Sequence, residues 1–514
     1  MLAKIFGSAV YGVEAITITI EVNVTQGAHT FIVGLPDNII KESLQRIESA
    51  IKNNGYHMPR TKIIINLAPA DIRKTGAAFD LPIALGIICA SDQLNPQSPE
   101  QYLIMGELSL DGEVRPIKGA LPMAIQARKE GFKGIIVPKA NAREAGMVNN
   151  ISVYGVNHIN EVIQFFHNNQ QGLTPITINT RDEFFHAQSH ADTDFIDVKG
   201  QENIKRALEI AASGGHNAVL IGPPGAGKTM LAKRLPTILP PLTLHEALET
   251  TKIHSVAGKL PENATLISRR PFRSPHHTVS DVALVGGGSH IPQPGEISLA
   301  HNGVLFLDEL PEFKRSVLEV MRQPMEERKV TISRAKIAVD YPANFMLLAS
   351  MNPCPCGFYN HPERACTCPP GTVQKYLNKI SGPLLDRIDL HVEVTPVGYT
   401  ELASSKKGEH SDLIRERVIK ARDIQLKRFA NYPGIYSNAQ MDSRLLKEIC
   451  VLSNISHNLL KSAMHKLNLS ARAYDRILKV SRTIADLAGS NDIKPEHVAE
   501  AIQYRSLDRQ SWGG

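Results

Sequence analysis

The sequence predicts an α/β protein. A parallel-sheet nucleotide-binding core is preceded by a mixed α+β unit and followed by a helical unit. Three observations predict this. The string GPPGAGKT at 222–229 matches G-x-x-x-x-G-K-[ST] at every fixed position. A strand-like run at 218–221 leads into it and a helical pattern at 230–239 leads out. A second apolar run, GVLFLDEL at 303–310, ends in two adjacent carboxylates.

The 514 residues suggest about three domains. With 42% hydrophobic and 21% charged residues, the composition is that of an ordinary globular protein. No apolar run reaches the ~18 residues of a spanning helix, and no charged segment precedes an apolar one at the N-terminus. A cytoplasmic protein without a membrane partner is therefore expected. Six cysteines are too few for a disulfide scaffold. The net charge of +6 is unevenly placed: residues 396–514 hold 19 Lys+Arg against 13 Asp+Glu, and the first 395 balance at 38 each. A basic C-terminal region is compatible with nucleic acid and equally with nucleotide phosphates.

Residues 1–170 form the first expected unit. Residues 15–24 (AITITIEVNV) alternate as a strand, 37–53 form a helix capped at Asp37 or Asn38, and 61–67 form another strand. An apolar helix follows at 80–90. Residues 106–144 then read as a hairpin turning at Asp111-Gly112, a helix, and a buried strand at 134–137. This stretch resembles the proteolytic domain of Lon, of the ribosomal S5 domain 2-like fold, and the related domain of the RadA recombination protein. Lon-type proteases use a Ser–Lys pair. By that resemblance KTGAAFD (74–80) puts Ala78 at the nucleophile position, and PIKGALPMA (116–124) puts Leu121 at the base position. Neither can do the chemistry, so a scaffold without peptidase activity is expected.

Residues 171–195 are polar without a sustained period and are expected to be a linker. His186 and His190 lie one helical turn apart there, with no third ligand in view.

The second unit spans 196–395. An amphipathic helix at 201–212 precedes the phosphate loop, with Asp197, Val198 and Gln201 as candidate adenine contacts. The backbone of Gly222, Pro223, Pro224, Gly225, Ala226 and Gly227 would wrap the phosphates at a helix N-terminus. Lys228 would reach the β- and γ-phosphates, and Thr229 would share Mg²⁺ with Asp308. Glu309 would activate the attacking water. Asn352, after a strand at 344–350, suits a sensor that orients that water. Arg387 precedes a strand at 388–392; its bland alternative is a surface cluster with Asp386 and Asp389.

These strings, with RPFRSPHHTVSDVALVGGG (270–288) and PQPGEISLAHNG, resemble the magnesium-chelatase I-subunit branch of AAA+ ATPases. Over the full length the chain is identified as a member of the YifB/ComM family. The resemblance implies a helix-2-insert (chelatase/MCM) core, a C-terminal helical lid at 396–514, ATP and Mg²⁺ as cofactors, and a homo-hexamer. It implies Arg387 as an arginine finger for the neighbour's γ-phosphate and Arg472 as sensor 2, with Arg476 and Arg482 on the same broad helix face. It also implies the function: an ATP-dependent motor on single-stranded and branched DNA that promotes branch migration of recombination intermediates in natural transformation, alongside the recombinase machinery. The alternatives are a chelatase-type protein-remodelling ATPase and, less compatible with the missing dyad, an ATP-dependent protease.

Two further stretches carry chemistry. Residues 325–339 (MEERKVTISRAKIAV) read as a β-hairpin with its tip at 333–336. By resemblance to replicative MCM helicases, Arg334 and Lys336 would grip DNA phosphates, and six such tips would place about twelve charges around an axis. Cys354, Cys356, Cys366 and Cys368 fall within fifteen residues, a density that suits a four-thiolate structural zinc at the subunit interface, with His361 as a spare ligand. His276-His277 reads as part of the helix-2 insert near a ring pore rather than as a metal pair. From residue 411 on, helices are expected at 412–429, 443–451, 456–467, 470–488 and 494–504.

Overall fold

The structure is a computed structural model. It describes residues 2–187, 193–260, 266–288, 292–334, 337–359, 361, 363–398 and 408–505. His190 and Lys336 lie outside the described residues, as do the side chains of His186 and Arg334.

The front unit is a seven-stranded mixed sheet. Its spatial order is Thr30–Val33, Lys62–Ala68, Glu14–Thr25, Leu2–Tyr11, Tyr102–Ile104, Gly134–Pro138 and Ser152–Val156. The alternation read at 15–24 has its physical basis here: Ile18, Ile20 and Val22 face the core, and their neighbours face outward. Asp37 caps the helix Asn38–Asn53 by accepting from the Ile40 N–H at 2.9 Å. The helix Asp80–Ala90 is buried throughout, which is why its sequence shows no polar face.

The segment read as a linker is partly built into this unit. Ile176 pairs with Val153, and a helix runs Thr180–Ala187 with Phe184 in the front core. Its apolar anchors are too sparse to set up a period, so the packing was hidden in the sequence.

The central unit holds a five-stranded parallel sheet in the order Phe272–Arg273, Val304–Leu307, Met346–Met351, Ala218–Ile221, Leu390–Glu393. The middle three strands are buried at every residue, as a parallel sheet covered on both faces requires. Their carboxyl ends lie side by side, so the loops that follow them converge. The hairpin is Lys329–Arg334 with Ile337–Pro342, shifted from the expected span because Met325 belongs to the helix Arg322–Glu327. The strand before Asn352 is Met346–Met351, and the strand after Arg387 starts at Leu390.

The lid helices are Ser411–Arg428, Ser443–Ile449, Asn454–Leu467, Ala471–Leu487 and Pro495–Gln503. They dock on the helix Glu202–Gly214: Arg417 pairs with Glu209, and Arg422 donates to Ala212 O at 3.0 Å. Asp194 pins the first lid helix by accepting from Ser411 N (2.8 Å), Ser411 Oγ (3.0 Å) and Ile196 N (2.9 Å). Burial would raise its pKa, but these donors outweigh burial and hold it down to about 2.

The front and central units share contacts. Leu242, Ala247 and Leu266 belong to the front core. Buried Glu144 accepts from Leu121 N at 2.9 Å and from Ser255 Oγ of the helix Leu244–Ala257. The Tyr11 hydroxyl donates to Ala338 O in the hairpin at 3.1 Å, and Gly12 abuts Val339. Among the described residues, no helix is long and apolar enough to cross a membrane.

Candidate nucleotide site

The phosphate loop joins the strand Ala218–Ile221 to the helix Lys228–Ile238. Two of its glycines are needed for reasons of space and backbone. A Cβ on Gly222 would lie 2.4 Å from Val394 O, and Gly227 turns into the helix at φ +82°. Pro224, Gly225, Ala226, Gly227, Lys228 and Thr229 line a cavity of ≈ 400 Å³, and Asp308, Glu309, Ser350 and Asn352 close it. Gly222 and Pro223 contribute carbonyls instead: Lys228 Nζ donates to Gly222 O (2.7 Å), Pro223 O (2.9 Å) and Asn352 Oδ1 (3.1 Å). Burial pulls the Lys228 pKa down, and the charges of Asp308 and Glu309 push back. Phosphate oxygens entering the loop would compete for the same three N–H bonds.

Thr229 Oγ1 donates to Asp308 Oδ2 at 2.8 Å. These are a hydroxyl and a carboxylate, the hard oxygen donors that Mg²⁺ takes together with substrate phosphates. The other carboxylate oxygen of Asp308 accepts from Ser350 Oγ. Sequence reasoning missed Ser350, although its place near the end of the strand that leads into Asn352 was a usable signal.

Glu309 stands just past the sheet edge with a left-handed backbone, φ 54° and ψ 52°. A non-glycine residue in that region costs about 1–3 kcal/mol and is typical of functional sites. Its carboxylate lies 3.6 Å from His277 Nδ1, and the His277 ring packs 4.0 Å from that of His276. Within the subunit, His277 thus faces the carboxylate expected to activate water. No spacing rule connects residues 277 and 309, so the sequence carried no signal.

Of the candidate adenine contacts, Val198 is fully buried, Asp197 pairs with Arg234 at 2.9 Å, and Gln201 donates to Ala226 O and Thr395 O. Gln201 thus ties the loop to the end of the last strand.

Arg387 and Arg472 are not in this cavity. They line a second one of ≈ 250 Å³ together with Arg476, Lys479, Glu326 and Asp386. Its cations rest on carboxylates: Arg387 on Glu326 (2.6 Å) and Arg472 on Asp386 (3.0 Å). Arg387 is buried, donates to Pro383 O at 2.6 Å, and its Nε has no hydrogen-bond partner among the described residues. The supposed surface cluster is therefore divided. Asp389 lies in the interior, held well below the usual carboxylate range by Arg476 and His216 against the opposing effect of burial. Arg482 is also interior, paired with Asp486, which removes it from the sensor candidates.

The front unit has its own cleft of ≈ 370 Å³, lined by Thr75, Gly76, Ala78, Glu107, Lys118 and Met123 among others. Ala78 offers it a methyl group. Leu121 is fully buried outside its lining, with its N–H committed to Glu144.

The four clustered cysteines have Sγ atoms all within 4.8 Å of one another. His361 is not among them: its Nδ1 accepts the N–H groups of Glu363 and Arg364 at 3.1 Å.

Comparison with known proteins agrees with this geometry. Residues 194–402 match the family described as magnesium chelatase, subunit ChlI, residues 408–505 match its C-terminal region, and residues 20–141 match a further ChlI-subunit family. Competence protein ComM of Haemophilus influenzae is 44% identical over 99% of this chain and 98% of its own. The YifB protein of Escherichia coli is 44% identical over the same shares. Lon protease 2 of Bacillus subtilis is 32% identical over 154 residues, 27% of this chain and 26% of its own. On this full-length similarity the chain belongs to the YifB/ComM family of magnesium-chelatase-like AAA+ proteins, a family that uses ATP and Mg²⁺.

Proposed function

We propose that this chain is an ATP-hydrolysing ring motor, expected as a hexamer, that drives branch migration of DNA recombination intermediates during natural transformation. The observation that carries the ring is the division of the site. Lys228, Thr229, Asp308, Glu309 and Asn352 gather at one cavity, while Arg387 and Arg472 line another. Phosphoryl transfer needs cationic charge on the far side of the γ-phosphate, and a second subunit would bring it.

Within one subunit, the loop backbone and Lys228 bind and orient the triphosphate. Asn352 and Glu309 position water, and Glu309 accepts its proton. Thr229 and Asp308 would hold Mg²⁺, which neutralises phosphate charge when bound. Arg387 of the next subunit would leave Glu326 for the γ-phosphate. The DNA reading draws on the basic hairpin with Arg334 and Lys336, on the basic C-terminal region, and on the relative named for competence.

The test is purified protein with ATP and a labelled Holliday junction or three-strand intermediate, with Lys228→Ala as control. ATP-dependent strand movement and DNA-stimulated hydrolysis are expected, and the absence of both overturns the motor. A protein-remodelling ATPase of chelatase type is the second reading, favoured by the ChlI matches. It predicts hydrolysis indifferent to DNA.

A further inference from the structure

We propose that Cys354, Cys356, Cys366 and Cys368 hold one tetrahedral Zn²⁺, and that the knuckle so formed braces the phosphate loop of its own subunit. The thiol geometry fits. Cys354 Sγ lies 3.3 Å from Cys356 Sγ and 3.7 Å from Cys366 Sγ, and the latter two are 3.5 Å apart. Four thiolates about 2.3 Å from a tetrahedral ion stand roughly 3.8 Å from one another. A disulfide would bring two of them to about 2.05 Å, and all four are free. The donor set is sulfur alone, which selects a soft or borderline cation over Mg²⁺ or Ca²⁺.

Backbone N–H groups surround the sulfurs. Tyr359 N donates to Cys354 Sγ at 3.3 Å, and the backbones of Phe358 and Thr367 bond Cys356. Such outer donors orient thiolates and stabilise their charge. Cys354 is fully buried, so the cluster is anchored in the protein rather than hung from its surface.

The position of the cluster gives it a task. Cys354 follows Asn352 by two residues, and Asn352 holds the Lys228 ammonium. Directly after the second ligand, Gly357 bends at φ +84° and approaches the phosphate loop so closely that a Cβ there would lie 2.5 Å from Pro224 Cδ. The knuckle thus meets the loop at Pro224 and is joined in sequence to the residue that contacts Lys228. A metal ion cross-linking residues 354–368 would fix this wall of the nucleotide cavity.

Zinc measured in untagged full-length protein is expected at about one equivalent per chain, and Co²⁺ exchange should give the thiolate charge-transfer bands of a tetrahedral site. The Cys366→Ser/Cys368→Ser variant should lose the metal and bind a fluorescent ADP analogue about 10- to 100-fold more weakly, the scale of a displaced binding group. Gly357→Ala keeps all four ligands and serves if the double variant fails to fold. It should retain zinc and still weaken nucleotide binding. Zinc below about half an equivalent with no Co²⁺ spectrum overturns the metal site. Unchanged nucleotide affinity in Gly357→Ala overturns the brace. The brace rests on the nucleotide reading: wild-type protein that holds zinc but binds no nucleotide overturns both, and leaves the metal standing.

Discussion

Two clefts of similar size, ≈ 400 Å³ beside the phosphate loop and ≈ 370 Å³ beside Ala78, differ in what their walls offer. The first sets an ammonium against an amide and a hydroxyl against a carboxylate, with the second carboxylate, Glu309, in the same lining. The second has strands, a turn at Gly76 and a comparable volume, but at Ala78, the position where the resemblance to Lon would place a nucleophile, it presents a methyl group. A sheet preserves a cleft through dozens of buried side chains, whereas chemistry depends on two or three atoms at its edge. One can vanish while the other persists.

That contrast is open to attack, most strongly at Lys228. Lys228→Ala should lower ATP hydrolysis at least about 10³-fold, since it removes the cation that the phosphate loop's own subunit aims at the transferring phosphoryl group; residual turnover near wild type in a phosphate-release assay would undo the comparison. Arg387→Ala should cost about 10³-fold in hydrolysis and leave nucleotide affinity almost intact. Mixing it with Lys228→Ala subunits should restore part of the activity, because each supplies what the other lacks.

Glu309→Gln should lower turnover by about 10²–10⁴-fold while ATP still binds. His277→Ala, which frees Glu309 from its imidazole neighbour, should change kcat and leave nucleotide affinity unmoved. On the other side of the comparison, the wild type and Ala78→Ser should both leave casein and fluorogenic peptides intact, because Leu121 supplies no base. Cleavage by either protein would mean that the cleft's chemistry had been misread.

The smallest expected effect concerns the lid. Unfolded Asp titrates near about 3.9, and folded Asp194 is held down to about 2. Its contribution is therefore present above the unfolded pKa and is lost as pH falls through the folded one. The thermal stability gap between wild type and Asp194→Asn should be constant above about pH 5 and close between about pH 4 and 2.

What the sequence made legible was local. GPPGAGKT and FLDEL each carry their structural context within about ten residues, since a strand end and a helix start are read from neighbours. The helix capped by Asp37 was legible for the same reason. The Arg387–Arg472 cavity was not legible as a cavity, because Asp386 and Arg472, 86 residues apart, meet only through the docking of the lid helix Ala471–Leu487 on the core. His277 against Glu309 and Gly357 against Pro224 are likewise products of tertiary approach. The helix Thr180–Ala187 escaped because its ties are one buried phenylalanine, a Thr180 hydroxyl bond to Met147 O and an Arg143–Glu183 ion pair, none of which generates periodicity.

The contact between Tyr11 and the hairpin has a mechanical consequence. The hairpin strand Ile337–Pro342 bears the front unit on its Ala338 carbonyl and its Val339 side chain. The same front unit is held to the helix Leu244–Ala257 through Glu144 and Ser255. The hairpin is therefore moored from outside the central sheet, and any swing of it relative to that sheet would have to break the Tyr11 bond first.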